Sequence, residues 1–203
     1  MAPLALDRLG YSAADLRRVH QVSRGAALQV PSDLRRVIDA YDYSEDWRAD
    51  YRVQSVRASL RSSRITCIDG AILAYGLLEL LFPQAKRRLL SIHRRDPKAN
   101  EECGHCVALY WGEDGQVGAL SKSTWPGLGH RDSVFAGEQA VACSYAQAYV
   151  ALGFEPLYFG VTALEDAAPD LDWRLSDTPL NEICDLLQAS YEYGFEIRRG
   201  MSA

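Results

Sequence analysis

The chain has 203 residues, 48% hydrophobic and 24% charged, which is an ordinary globular balance with enough length to bury a core. Its formal charge of −5 and pI near 5.4 argue against a nucleic-acid protein, which would carry a basic face. The basic runs Lys86-Arg87-Arg88 and His93-Arg94-Arg95 read as solvated surface.

In chain order, residues 1–17 lack the pattern of a signal peptide, and the longest apolar stretch, residues 71–82, contains Glu79 and is too short to span a bilayer. Five cysteines are an odd number without a secreted disulfide spacing, so a cytoplasmic chain with free thiols is expected. No repeat or linker divides the sequence. One domain is expected over residues 1–203: a helical part at 1–60, a core at 61–135, and a helix–strand–helix completion at 136–203.

Ser12 and Asp15 predict a capped helix running to residue 24. A second helix is expected after Pro31-Ser32-Asp33, and Ser44 opens a third turn through Trp47 and Tyr51. Thr66 or a neighbour starts a helix over residues 67–81, apolar on nearly every side and ended by Phe82-Pro83. Strands are predicted at 89–93, 106–111 and 116–120, the last two joined across Asp114-Gly115. A helix over 136–152 capped near Ser133, a strand at 157–161, an acidic loop at 165–172 and a last helix from Asp177-Thr178-Pro179 to residue 193 complete the chain. Helices, then a mostly antiparallel sheet, then helices make the fold class α+β.

Two motifs carry chemistry. Thr66-Cys67-Ile68-Asp69-Gly70-Ala71 puts a thiol at a helix N-terminus, where the dipole and free N–H groups favour a thiolate and can hold an oxyanion. The bland alternative is a cysteine that fills the core. Cys103-Gly104-His105-Cys106-Val107 puts an imidazole at the start of a strand, with Cys103 in a turn; His105 is then either a base for Cys67 or a structural hydrogen-bonder. An orienting group is sought among Ser121, Lys122 and Ser123, none of them Asp or Asn, with Asp69 and Asp132 as substitutes from elsewhere. Cys67, Cys103, Cys106 and His105 also make a conceivable zinc set, disfavoured because His105 and Cys106 point to opposite faces of a strand. Trp125 to Arg131, with Pro126, Gly127 and Gly129, reads as a connecting loop or a lid.

On these residues the segment 65–132 resembles the transglutaminase-like superfamily, related to papain-type cysteine peptidases and arylamine N-acetyltransferases; residues 122–132 also look like its bacterial stand-alone members. The resemblance implies a central Cys-bearing helix packed on an antiparallel sheet, with a helical N-terminal third. It implies Cys67 as nucleophile, His105 as base and an acyl-enzyme route to hydrolysis or aminolysis. The family's third member, commonly Asp on the following strand, meets Leu120-Ser121-Lys122-Ser123 here, and Ser123 is taken as the candidate. Trp47 or Tyr51 would assist the oxyanion. Lys122 and Arg131 are either anchors for a substrate carboxylate or phosphate, or surface charges. An amide- or thioester-containing small molecule or peptide is the expected partner, with no nucleic acid, membrane, metal or cofactor, and the oligomeric state is left open. The missing carboxylate supports the rival reading, a binding or scaffold protein that keeps the fold and has lost turnover.

Overall fold

A computed structural model describes residues 9–23, 25, 27–45, 52–189 and 191–194. Its centre is a six-stranded antiparallel sheet of β3 (Arg87–Asp96), β4 (Glu101–Trp111), β5 (Val117–Leu120), β6 (Arg131–Phe135), β7 (Glu155–Thr162) and β8 (Tyr191–Gly194), in the order β6-β5-β4-β3-β7-β8. Ahead of it, β1 (Asp42–Tyr43) and β2 (Arg64–Ile65) form a separate two-residue parallel ladder. The mixed α+β class follows directly.

Helices cover both faces. Along β4, Cys106, Ala108 and Tyr110 join one apolar cluster and Val107 and Leu109 the other, the period-2 alternation of a strand with two covered faces. The first cluster is built on α4 (Cys67–Leu81), with α1 (Ala13–Val22), α2 (Arg35–Asp39), α3 (Val56–Arg61) and α7 (Glu182–Ala189) around it. The second is built on α5 (Glu138–Ala151), whose Val141, Ala142, Tyr145 and Tyr149 are buried against Leu90, Ile92 and Ala119. A short α6 (Leu164–Ala167) follows β7. No described helix is long and apolar enough to cross a membrane.

Several elements depart from expectation, the strands because tertiary pairing overrides local pattern. β4 begins at Glu101 rather than 106, since β3 pairs with it from Arg87↔Tyr110 to Asp96↔Glu101; Cys103 therefore lies in a strand and His105 in its interior. The turn of this hairpin is closed by Asp96, which accepts from the Lys98 and Ala99 N–H groups, and by Asn100 at φ 54. Residues 131–135, expected to be loop and cap, form β6 on the outer edge of β5. The last helix is shorter than predicted and gives way to β8, which pairs with β7 from Tyr158↔Gly194 to Gly160↔Tyr191. The helix after Pro31 begins as a 3₁₀ turn, Pro31–Leu34. The turn expected through Trp47 and Tyr51 lies outside the described residues.

Candidate functional site

Cys67 is the first residue of α4. Thr66 caps the helix with a reciprocal capping box: the Thr66 hydroxyl accepts from Asp69 N–H, and the Asp69 carboxylate accepts from Thr66 N–H at 3.0 Å. Asp69 also accepts from Gln54 N–H at 2.8 Å. Its buried carboxylate thus serves the helix start and the segment before α3, not a substrate. The sulfur accepts from the Cys106 N–H of β4, in the part of that strand beyond its pairing with β5, which runs from Trp111↔Val117 to Ala108↔Leu120. Burial pushes the Cys67 thiol up to about 11; the Cys106 and Ile68 N–H groups act against that, and the Asp69 charge adds to it. Cys67 nevertheless keeps partly exposed surface on a cavity.

That cavity, about 380 Å³, also takes in His105, Cys103, Cys106 and Cys184, so Cys67 and His105 border one space. Among the described residues no group of three or more His, Cys, Asp or Glu side chains is arranged to hold a metal.

His105 is buried, its ring 5.7 Å from that of Tyr145. Its Nε2 lies 2.8 Å from Ser121 Oγ, and that hydroxyl donates to the Leu128 carbonyl at 2.8 Å. With the hydroxyl proton committed, Ser121 Oγ accepts from His105 Nε2–H, which leaves Nδ1 as the acceptor nitrogen. Burial lowers His105 to about 4, the Leu128 carbonyl opposes this, and Arg131 and Arg94 add to it. At neutral pH, therefore, the resting pair is a thiol and a neutral imidazole.

Ser121 is itself positioned by a carboxylate one step removed. Its N–H donates to His130 Nδ1 at 2.9 Å, and His130 Nε2 lies 2.9 Å from Asp39 Oδ1; with Nδ1 accepting, Nε2 carries the proton and donates to Asp39. Ser123, the residue singled out on sequence, borders the cavity but its hydroxyl accepts from Trp125 N–H at 3.0 Å.

The two predicted anchors are occupied elsewhere. Lys122 Nζ donates to the Tyr41 carbonyl. Arg131 donates to the Gly127, Gly129 and His130 carbonyls and to Ser144 Oγ, and so pins the 125–130 loop that sequence left as a lid or a connection. Trp47 lies outside the described residues.

Two cavity residues carried no motif. Tyr43 comes from β1, whose register Tyr43↔Ile65 places it beside the residues leading into Cys67; burial, then the neighbouring Cys67 thiol to which it hydrogen-bonds, push its phenol up. Arg94 stands over Phe154 with its guanidinium carbon 3.7 Å from the ring centroid. A two-residue strand has too little sequence for periodicity to show, and Arg94 sits in a basic run indistinguishable from surface.

No family model matches the chain, and no curated protein does. Among solved structures it is similar to LapG of Legionella pneumophila, at 12% identity and a TM-score of 0.42, and to the EGTA-treated form of that protein, at 12% and 0.41. Each alignment covers 92% of this chain and 96% of the other. A likeness this distant assigns no activity.

Proposed function

We propose that the protein is a cysteine-dependent hydrolase or acyltransferase that works through an acyl-enzyme on Cys67. The observation that carries this reading is the shared cavity: a helix-opening thiol and an imidazole whose tautomer leaves one nitrogen free to accept border the same space. Cys67 Sγ attacks an amide or thioester carbonyl while its proton passes to His105 Nδ1. The uncapped N–H groups of the first turn of α4, and the Tyr43 hydroxyl, are donors for the oxyanion. Collapse expels the amine or thiol, which leaves with the proton from His105. Water or an amine then attacks the thioester, His105 accepts its proton, and the Cys67 thiol is restored.

Because both partners rest neutral, proton transfer accompanies attack rather than preceding it. His105 assistance then shows as Cys67 reactivity well below the thiol pKa. Iodoacetamide labelling at Cys67, followed by peptide mass spectrometry from pH 5 to 10, is expected to run about a hundredfold faster near pH 7 in the parent than in His105→Ala. p-Nitrophenyl acetate should leave an acetyl group on Cys67 of the parent.

One observation favours the rival reading of a non-catalytic binding protein: the group on His105 Nε2 is a hydroxyl, not a carboxylate, so among the described residues an imidazolium is supported by the Leu128 carbonyl and not by a negative charge. Coincident labelling profiles and no acetyl adduct would establish that rival and remove the enzyme.

A further inference from the structure

We propose that Arg94 makes this cavity a receptor for acyl donors bearing a carboxylate close to the scissile carbonyl, with Phe154, Trp125 and Tyr149 as the apolar wall that holds the guanidinium. The inference rests on the reading of Cys67 as nucleophile and narrows its substrate class.

Arg94 lies on β3 opposite Cys103 of β4, at a register shift between β3 and β7. Its guanidinium carbon is 3.7 Å from the Phe154 ring centroid, 5.6 Å from that of Tyr149 and 5.9 Å from that of Trp125. Trp125 packs edge-on against Phe154 at 5.3 Å. A guanidinium stacked on rings keeps its in-plane N–H donors, the fork that matches a carboxylate.

Among the described residues Arg94 makes no salt bridge and no side-chain hydrogen bond. The other cations nearby are committed. Arg95 pairs with Glu102 at 2.7 Å and reaches Glu155 at 3.7 Å, while Arg131 and Lys122 hold carbonyls. The acids on the same cavity are also accounted for: Glu102 is taken by Arg95 and His93, Asp96 by its turn, and Glu101 is exposed at the start of β4. An unpaired cation thus stands beside the proposed nucleophile and base. After burial and Arg131, Arg94 is a further cause that lowers His105, so a bound carboxylate also returns basicity to the imidazole.

Alkylating probes test this without a known substrate. Second-order rates at Cys67 are measured by peptide mass spectrometry for N-iodoacetyl-glutamine amide (neutral), N-iodoacetyl-glutamic acid α-amide (side-chain carboxylate) and N-iodoacetyl-glutamine (terminal carboxylate). At least one carboxylate reagent is expected to outpace the neutral one by about tenfold, and which one does so tells a side-chain from a terminal carboxylate. Arg94→Gln should bring that ratio to near one and Arg94→Glu should reverse it, while Arg88→Gln, a change on the same strand outside the cavity, keeps the parent ratio. Equal rates for all three reagents in the parent, or a ratio that survives Arg94→Gln, overturns the proposal. Failure of the nucleophile reading shows separately, as an iodoacetamide profile indifferent to His105→Ala.

Discussion

Burial that lowers His105 to about 4 from an ordinary 6.5 has a consequence for the folded state as a whole. Between those values the unfolded chain takes up a proton that the folded chain refuses, so unfolding binds protons and stability falls as pH drops through that window. Taken alone, the group accounts for about 3 kcal/mol by pH 4. His130, also lowered chiefly by burial and partly restored by Asp39, works in the same direction. Urea unfolding midpoints measured from pH 7 to 4 should therefore decline, and less steeply in His105→Gln. Cys67 acts at the other end. Raised to about 11 from 9.0, it keeps a proton that the unfolded chain loses, so stability falls again as pH rises between those values. At this scale the sequence was only partly legible. Lys122 and Arg131 presented themselves as anchors because charge reads from composition, whereas their engagement with carbonyls needs the folded loop. Ser121 and Ser123 are two residues apart in a run that leaves its strand after Leu120, and no periodicity says which hydroxyl turns towards His105.

Among the elements, α4 sets the site, and its close approach to the 121–123 segment is made possible by Gly70. A Cβ built there would stand 2.8 Å from Lys122 Cβ and 3.5 Å from Ile65 Cδ1. Gly70→Ala is thus expected to force α4 off this segment and cost about 1–3 kcal/mol, despite the better helix propensity of alanine. Calorimetry would show a lowered Tm, and Cys67 labelling should change with it, since the displaced turn carries the thiol. A rise in Tm would mean that Lys122 yields without cost. The helix itself was readable because its signals are local: Thr66 ahead of an unbroken apolar run at one end, Phe82-Pro83 at the other; the reciprocal bonds of Thr66 and Asp69 emerge only in the folded chain. β8 and the first half of β4 were not, because each exists through its pairing with a distant strand. The same holds for β6, whose alternating, half-exposed residues resemble a loop until β5 is beside them.

Across the molecule, the C-terminal part of α4, about three turns from Cys67, is tied down by charge. Glu79 receives Arg174 at 2.7 Å and Arg87 at 3.1 Å, Arg87 continues to Glu165 at 2.6 Å, and Tyr75 donates to Glu165 at 2.5 Å. Arg174 also lies over Trp173, which meets Tyr75 edge-on at 5.5 Å. Glu79 and Arg87 are mostly shielded from water, so this network differs from an exposed surface pair. Glu79→Gln leaves Arg87 and Arg174 to share Glu165 as their remaining carboxylate and is expected to lower unfolding stability by about 1–3 kcal/mol, read from urea titrations and only weakly altered by added salt. A loss below about 0.5 kcal/mol would put this cluster with ordinary surface pairs.

The ladder that delivers Tyr43 to the nucleophile has two registered pairs, with the Asp42 N–H donating to the Ser63 carbonyl at 3.1 Å and the Ser44 N–H to the Ile65 carbonyl at 2.9 Å. So short a seam opens at a small fraction of the free energy that α4 needs to unravel. Deuterium should enter at the Ser44 amide long before it reaches the amides at the middle of α4. Each such opening carries the phenol away from the sulfur, so the fraction of time that Cys67 stands unshielded is set by the breathing of a segment that forms no part of the main sheet.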